Sequence, residues 1–267
     1  MRKFTNITAP HGITTRKGGV SLGAFESMNT SFFGVDNPSH VFTNIKRALN
    51  ELGITSKTIV ATQQVHSNKV LLIDSAFDFD TLKKIDTSDS DLSEYGLYVA
   101  SETDGLMTSR EDLVLMTFYA DCVPLVYHDE ESGYIATVHS GWKGTAHLMA
   151  QEVIKKFNHL GIPVTHLNIG IGHCAAVCCY EVDEPVIQAF RENFSNDQMT
   201  AFLIPKENGK YMMDLKQANV IALMKQGITL SQIEVNDDCT ICNAEEFHSH
   251  RRTGYPRGSM STFIAKK

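Results

Sequence analysis

The chain predicts a mixed α/β (α+β) fold, a single domain in which a central mixed sheet carries flanking helices. Three observations lead there. Short runs rich in Val, Leu, Ile, Tyr and Phe recur along the chain, as strands do. Helical spacing falls between them, as in Val41, Ile45, Ala48, Leu49 and Leu52. The two kinds of segment mix without a strict βαβ rhythm, which argues against a doubly wound sheet. At 267 residues, 42% hydrophobic and 21% charged, the chain can bury a full core, and residues 1–267 read as one domain.

In chain order, the first helix covers 39–52 and stops at Gly53. A short strand follows at 70–73. Residues 78–94 are rich in Asp and Ser and read as an exposed loop. Its acidic run at 86–91 lacks the turn glycine and closing glutamate of a calcium-binding loop. Strands are expected at 113–119, 123–128 and 134–139. A helix is expected over 145–158, with Ala146, Met149, Val153 and Phe157 on one face. Another strand fits 166–171. Helices fit 184–193, with Pro185 in the first turn, and 215–226, with Asp214 as cap. The tail closes with a strand at 261–265.

Composition narrows the class of partner. Lys and Arg number 24 against 31 Asp and Glu, a net charge of −7, which argues against nucleic acid or an anionic membrane as partner. The longest apolar stretch, Leu113 to Ala120, falls far short of the ~20 residues that a bilayer needs. The start, MRKFTNITAPHG, has no apolar segment after its basic residues, so a cytoplasmic location is expected. There the six cysteines, at 122, 174, 178, 179, 239 and 242, are reduced thiols or metal ligands rather than a disulfide framework. Eleven histidines make metal or acid–base chemistry worth pursuing.

Several motifs lead nowhere. His128-Asp-Glu130 with Cys239-Thr-Ile-Cys242 imitates the zinc deaminase signature, but Asp238 stands where that signature has proline. No thioredoxin-like context surrounds the Cys-x-x-Cys, so packed or incidental cysteines are the expectation there. His248-Ser-His250 is a single His-x-His pair without the repeats of a four-copper oxidase. Gly141-Trp-Lys143-Gly-Thr145 lacks the spacing of a nucleotide-phosphate loop.

Chemistry concentrates at strand ends. Thr62-Gln-Gln-Val-His66-Ser sits just before a strand, Tyr119-Ala-Asp121-Cys122-Val-Pro124 joins two strands, and Ile135-Ala-Thr-Val-His139-Ser-Gly ends a third. His66, Cys122 and His139 could form a His2Cys set of the kind that holds zinc and leaves a position open for water. Copper accepts the same donors, and each residue could equally be an ordinary buried or hydrogen-bonded one. Arg16 beside Gly18-Gly19, Lys143, and Arg251-Arg252 with Arg257 are anion contacts or exposed salt-bridged side chains.

These motifs together resemble one family. TTRKGGVS (14–21), SMN (27–29), TQQVHS (62–67), ADCVP (120–124), VHSGWKGT (138–145), CCYEV (178–182), DLKQAN (214–219) and CT…F…RR (239–252) stand in its order. It is the YfiH/YlmD-type purine nucleoside phosphorylase family, formerly labelled laccase-domain or polyphenol oxidase. The resemblance runs from about residue 10 to the C-terminus. It implies a single α/β domain with zinc held by His66, Cys122 and His139. It also implies phosphorolysis of adenosine, inosine, guanosine and methylthioadenosine, together with adenosine deamination.

On that reading Arg16 holds phosphate, with Lys143 or Arg251 as further substrate contacts, and Asn29 meets ribose hydroxyls. Asp121 moves protons beside Cys122. Alternatives within the resemblance are a hydrolase that edits peptidoglycan precursors and a copper-dependent polyphenol oxidase. The chain departs from the family pattern in two places. Gly172-His173 replaces a Gly-Pro turn, with Ala175-Ala-Val177 following, and FHSHRRTGYPRGSM (247–260) places His248 and His250 at aromatic positions.

Overall fold

The computed structural model describes residues 1–266. Strands β1 (His11–Ile13), β2 (Thr58–Thr62), β3 (Val70–Ile73), β4 (Lys83–Ile85) and β5 (Gly96–Ala100) occupy the first part of the chain. The middle holds β6 (Gly105–Thr108), β7 (Leu113–Tyr119), β8 (Val123–Asp129), β9 (Ile135–Ser140) and β10 (Leu167–Ile171). Then come β11 (Glu181–Val182), β12 (Leu203–Pro205), β13 (Tyr211–Met213), β14 (Ile233–Val235) and β15 (Met260–Ala265). The helices are α1 (Pro38–Leu52), α2 (Trp142–Ala146), α3 (Met149–His159), α4 (Glu184–Arg191), α5 (Asn196–Thr200), α6 (Leu215–Met224) and α7 (His250–Thr253).

The mixed α/β class is the one the sequence predicts, but the β structure is divided. One six-stranded mixed sheet runs β1-β15-β7-β2-β5-β4, a second runs β14-β10-β8-β9-β6-β3, and a small third sheet runs β11-β13-β12. The two large sheets pack face to face. Val60, Leu113, Leu115 and Ile264 of the first meet Ile73, Leu106, Val126 and Ile135 of the second. Alternate residues turn outward. Val114, Met116 and Phe263 pack against α1, and Leu125, Tyr127 and Ile169 pack against α3 and the α6 region. The order of layers is therefore helix, sheet, sheet, helix. Strands β7 and β8 are buried on both faces, which is why their sequences are nearly continuous hydrophobic runs.

Consecutive strands usually pair, so β7 and β8 invite assignment to one sheet. Here they lie in different sheets, and the link Ala120–Cys122 carries the chain across. Asp121 takes φ 96° in that link. The same crossing is made twice more, from β2 to β3 through residues 63–69 and from β5 to β6 through 101–104. Strands β2, β5 and β7 are parallel, so all three crossings leave the first sheet at one end. Strand β9 runs antiparallel to β6 and β8 and brings its own C-terminal end to that edge.

Other elements differ in detail. The helix expected over 145–158 is two, because Leu148 adopts φ 60° between α2 and α3. Residues 78–94 are not a loop throughout: Lys83–Ile85 adds an edge strand to β5, and Leu92 is buried in the core beneath α1. Asp214 caps α6 by accepting the amide of Gln217 at 3.0 Å. Among the described residues, no helix is long and apolar enough to cross a membrane.

Candidate functional site

The three crossings and the end of β9 supply the side chains of one cluster. His66 comes from the β2–β3 link, Cys122 from the β7–β8 link, and His139 from β9, where it pairs with Pro124. One nitrogen of each imidazole and the Cys122 sulfur lie within 4.8 Å of one another. The Cys122 Sγ to His66 Nε2 distance is 4.0 Å, and the two imidazole rings stand nearly perpendicular, with centroids 4.9 Å apart. A tetrahedral zinc ion would set such N and S atoms about 3.6 Å apart, so the group needs only a slight contraction to hold one. Gly141, at the start of α2, leaves the necessary room. A Cβ there would sit 2.9 Å from the Cys122 sulfur and 3.0 Å from the His66 ring.

Asp104, on the third crossing, organises both histidines. Its carboxylate accepts the amides of Val65, His66 and Ser67 at 3.1, 3.0 and 2.8 Å, and the Ser67 hydroxyl at 2.8 Å. These bonds hold His66 at φ 62°, a conformation that L-residues seldom adopt. The same carboxylate accepts His139 Nδ1–H at 2.9 Å, which leaves Nε2 directed at the cluster. Burial alone would raise the Asp104 pKa, but the hydrogen bonds from His139 and Ser67 outweigh it and lower the pKa to about 2. No sequence motif marks Asp104; a lone Asp-Gly ahead of a strand carries no signal of its own.

Charge within the cluster is mutual. Burial disfavours ionised Cys122, yet His139 and His66 outweigh it and lower the thiol pKa to about 6. Burial likewise disfavours charged His139, but the Cys122 thiolate and Asp104 raise its pKa to about 9. Without a metal, Cys122 and His139 form a thiolate–imidazolium pair at neutral pH. Supplying a cation in place of the imidazolium proton is what a metal does.

The cluster forms the floor of a cleft of about 570 Å³, within the usual ~300–1,000 Å³ of small-molecule sites. Phe33 and Phe118 form an aromatic wall, with ring centroids 5.5 Å apart. Gln63, His250 and Arg257 supply polar groups. A second lobe of about 290 Å³ shares His66, Cys122 and His250 and adds Asp121, Trp142 and Arg251. Arg257 donates Nη1 to the Gly258 carbonyl and the Ser259 hydroxyl, while its buried Nε has no partner among the described residues.

The remaining sequence-predicted residues fall in different places. Asp121 lines the second lobe, and its oxygens accept the Thr240 hydroxyl and the Arg251 amide, both at 2.6 Å. Arg251 lies against the Tyr180 ring and donates to the Glu181 carbonyl at 2.7 Å. Arg16 is not among the cleft-lining residues; it donates to the carbonyls of Glu26 and Ala244. Asn29 is buried, donates to Asp36 and accepts the amide of Ser259, and it is not among the cleft-lining residues. Lys143 is exposed on α2, over the Trp142 ring. Of the two histidines at aromatic positions, His250 reaches the cleft. His248 is buried against Gly258, and burial first, then Arg16 and Arg257, lower its pKa to about 3.

Fold and cluster define a class: a two-sheet α/β sandwich whose crossover links present a His2Cys group beneath an open cleft. The chain belongs to the multi-copper polyphenol oxidoreductase laccase family, whose model matches residues 10–267. It is 30% identical over 258 residues to the purine nucleoside phosphorylase YlmD of Bacillus subtilis (strain 168), covering 96% of this chain and 88% of that one. It is 28% identical to adenosine deaminase RL5 from an unknown prokaryotic organism, covering 98% and 96%. Among solved structures it resembles the Bacillus licheniformis hypothetical protein YfiH, with a TM-score of 0.84 and 31% identity over 96% of this chain and 92% of that one.

Proposed function

We propose that this chain is a zinc-dependent purine nucleoside phosphorylase that cleaves adenosine, inosine, guanosine and methylthioadenosine with phosphate, and that it also deaminates adenosine. The observation that carries this reading is the His66–Cys122–His139 cluster at the floor of a cleft that is also lined by the cation of Arg257. The names of YlmD and RL5 supply the two reactions. Residues 1–267 are taken as one domain in this reading, which is supported by a cluster that draws two ligands from links between the sheets and the third from β9.

We take the metal to be zinc rather than the several coppers of a multi-copper oxidase. Among the described residues, only one potential ligand group contains histidine, whereas a multi-copper oxidase needs several. A zinc ion bound there would supply Lewis-acid chemistry, polarising an oxygen of water or substrate.

Phosphorolysis breaks the bond between the anomeric carbon and the purine nitrogen as a phosphate oxygen bonds to that carbon. We assign the phosphate to Arg257, a residue of the cleft lining, because guanidinium pairs with phosphate along directed N–H bonds. The Phe33–Phe118 wall offers a face for the purine. His250, exposed between the two lobes, is placed to give the departing purine a proton. Gln63, whose amide lines the cleft, can meet the purine edge. Deamination replaces the 6-amino group of adenosine with oxygen from water, releasing ammonia, and uses the same imidazole for proton transfer.

Asp121, Asn29 and Arg16 act as positioning residues. Asp121 ties Arg251 to the crossing, Asn29 holds Ser259, and Arg16 fastens the 244 turn. Arg251, in the lining of the second lobe, and Lys143, beside Trp142 of that lining, are proposed as further substrate contacts. Replacing Arg257 with Gln tests the assignment. The KM for phosphate should rise about ten- to a hundredfold, as expected for a lost charge-assisted bond, with metal content unchanged. An unchanged phosphate KM contradicts it.

A further inference from the structure

A second group of side chains able to hold a metal ion lies outside the cleft. Cys178 and Cys179 come from the turn after β10, and Cys239 and Cys242 from the segment before α7. All four sulfurs lie within 4.8 Å of one another, with Cys242 Sγ 3.3 Å from that of Cys178 and 3.2 Å from that of Cys179. The sequence alone points to packed or incidental cysteines at 239 and 242; the fold instead gathers them with the other pair.

Local backbone explains the gathering. Neighbouring side chains on a strand point to opposite faces, but Cys178 and Cys179 lie in a turn closed by the Cys179 and Tyr180 amides on the Ala176 carbonyl. Two consecutive thiols can therefore face one point. The segment bearing Cys239 is fastened to this turn by a bridge between Cys174 and Cys239 and by the Thr240 amide on the Cys174 carbonyl at 2.9 Å. The Ala176 amide donates to Cys239 Sγ at 3.4 Å. Main-chain N–H groups aimed at a thiolate are what orient such a ligand in thiolate metal sites.

We propose that Cys178, Cys179, Cys239 and Cys242 bind a second, structural zinc ion as a tetrathiolate site. Tetrahedral Zn–S bonds of about 2.3 Å place sulfurs about 3.8 Å apart, a little beyond the 3.2 and 3.3 Å seen at Cys242 and inside the 4.8 Å that bounds the whole group. Four protein ligands close the coordination sphere, so this ion has no position for substrate and its role is to hold chain. The chain it holds is that of the cleft. Thr240, inside the Cys-x-x-Cys, donates to Asp121 next to Cys122, and Arg252 donates to the carbonyls of Thr240, Ile241 and Phe247. His250 and Arg251 follow directly in α7.

Metal analysis of the full chain tests this. Wild type should carry about two zinc ions, Cys122→Ser about one, and Cys242→Ser about one. In Cys242→Ser the remaining ion should be the one lost when Cys122→Ser is added, which separates this site from the cleft cluster. Cadmium-113 NMR of the cadmium-substituted wild type needs no variant. It should show one resonance in the tetrathiolate range, whatever the state of the His2Cys group. A wild-type protein with no tetrathiolate resonance, and with all four thiols free to react with a disulfide reagent or joined in a disulfide, overturns the proposal. An iron–sulfur chromophore overturns it as well.

Discussion

Asp104 accepts three main-chain amides, a hydroxyl and an imidazole N–H, so its loss would release His66 and His139 together. Asp104→Asn should weaken metal binding about ten- to a hundredfold, the usual effect of removing an outer partner of a ligating histidine. Chelator competition measures this, and unchanged affinity contradicts the role. The pair Cys122 and His139 sets the pH dependence. In the metal-free protein the thiol is ionised above about 6 and the imidazole protonated below about 9. Between those limits one proton must leave His139 for each ion bound, so affinity should rise about tenfold per pH unit, and more steeply below pH 6. Titration of the metal-free protein with zinc across that range checks the slope; a flat profile from pH 6 to 9 contradicts the pairing. The three ligands were legible because histidine and cysteine are the usual metal donors and all three stand where strands end. Asp104 and Arg257 were less so, since a single carboxylate or arginine shows its partners only once the chain has folded.

Elements, rather than loops alone, place the cluster. Helix α2 begins on Gly141 with φ −69° and ψ 175°, angles that alanine adopts freely, so only the space beside the Cβ forbids a side chain. Gly141→Ala should therefore fold with near wild-type stability and yet lose at least about tenfold in zinc affinity, as ligand geometry is disturbed. Equal metal content at limiting zinc would contradict this. The strands and helices themselves were largely readable from periodicity, and strands 113–119, 123–128 and 134–139 match β7, β8 and β9 closely. What periodicity could not show is which sheet each strand joins. A strand buried on both faces reads the same whether its neighbour in sequence pairs with it or crosses to another sheet, and the crossing at Asp121 depends on one positive φ. The break at Leu148 is of the same kind, a single left-handed residue inside a continuous helical pattern.

At the scale of the molecule, function depends on two sheets being locked in register, because two ligands sit on links between them and the third on β9 of the second sheet. Phe263 on β15 packs beneath α1 with no exposed surface, in the strand that joins β1 to β7. Phe263→Ala should cost about 3–5 kcal/mol of stability, as large-to-small core changes do. Urea unfolding would measure it, and a loss below about 1 kcal/mol would mean the layer is looser than described. The family resemblance in the motifs anticipated one domain with one metal group. The four-thiol cluster on the far side of Asp121 was beyond it, because two adjacent cysteines and a distant Cys-x-x-Cys meet only through the Cys174–Cys239 bridge.

The central claim is that the cleft over His66, Cys122 and His139 performs phosphorolysis. Its most direct test is chromatography of the products formed from adenosine by the zinc-loaded protein, with and without phosphate. Adenine is predicted only when phosphate is present, and inosine in either case. Neither adenine nor inosine from folded, zinc-loaded protein would contradict the claim.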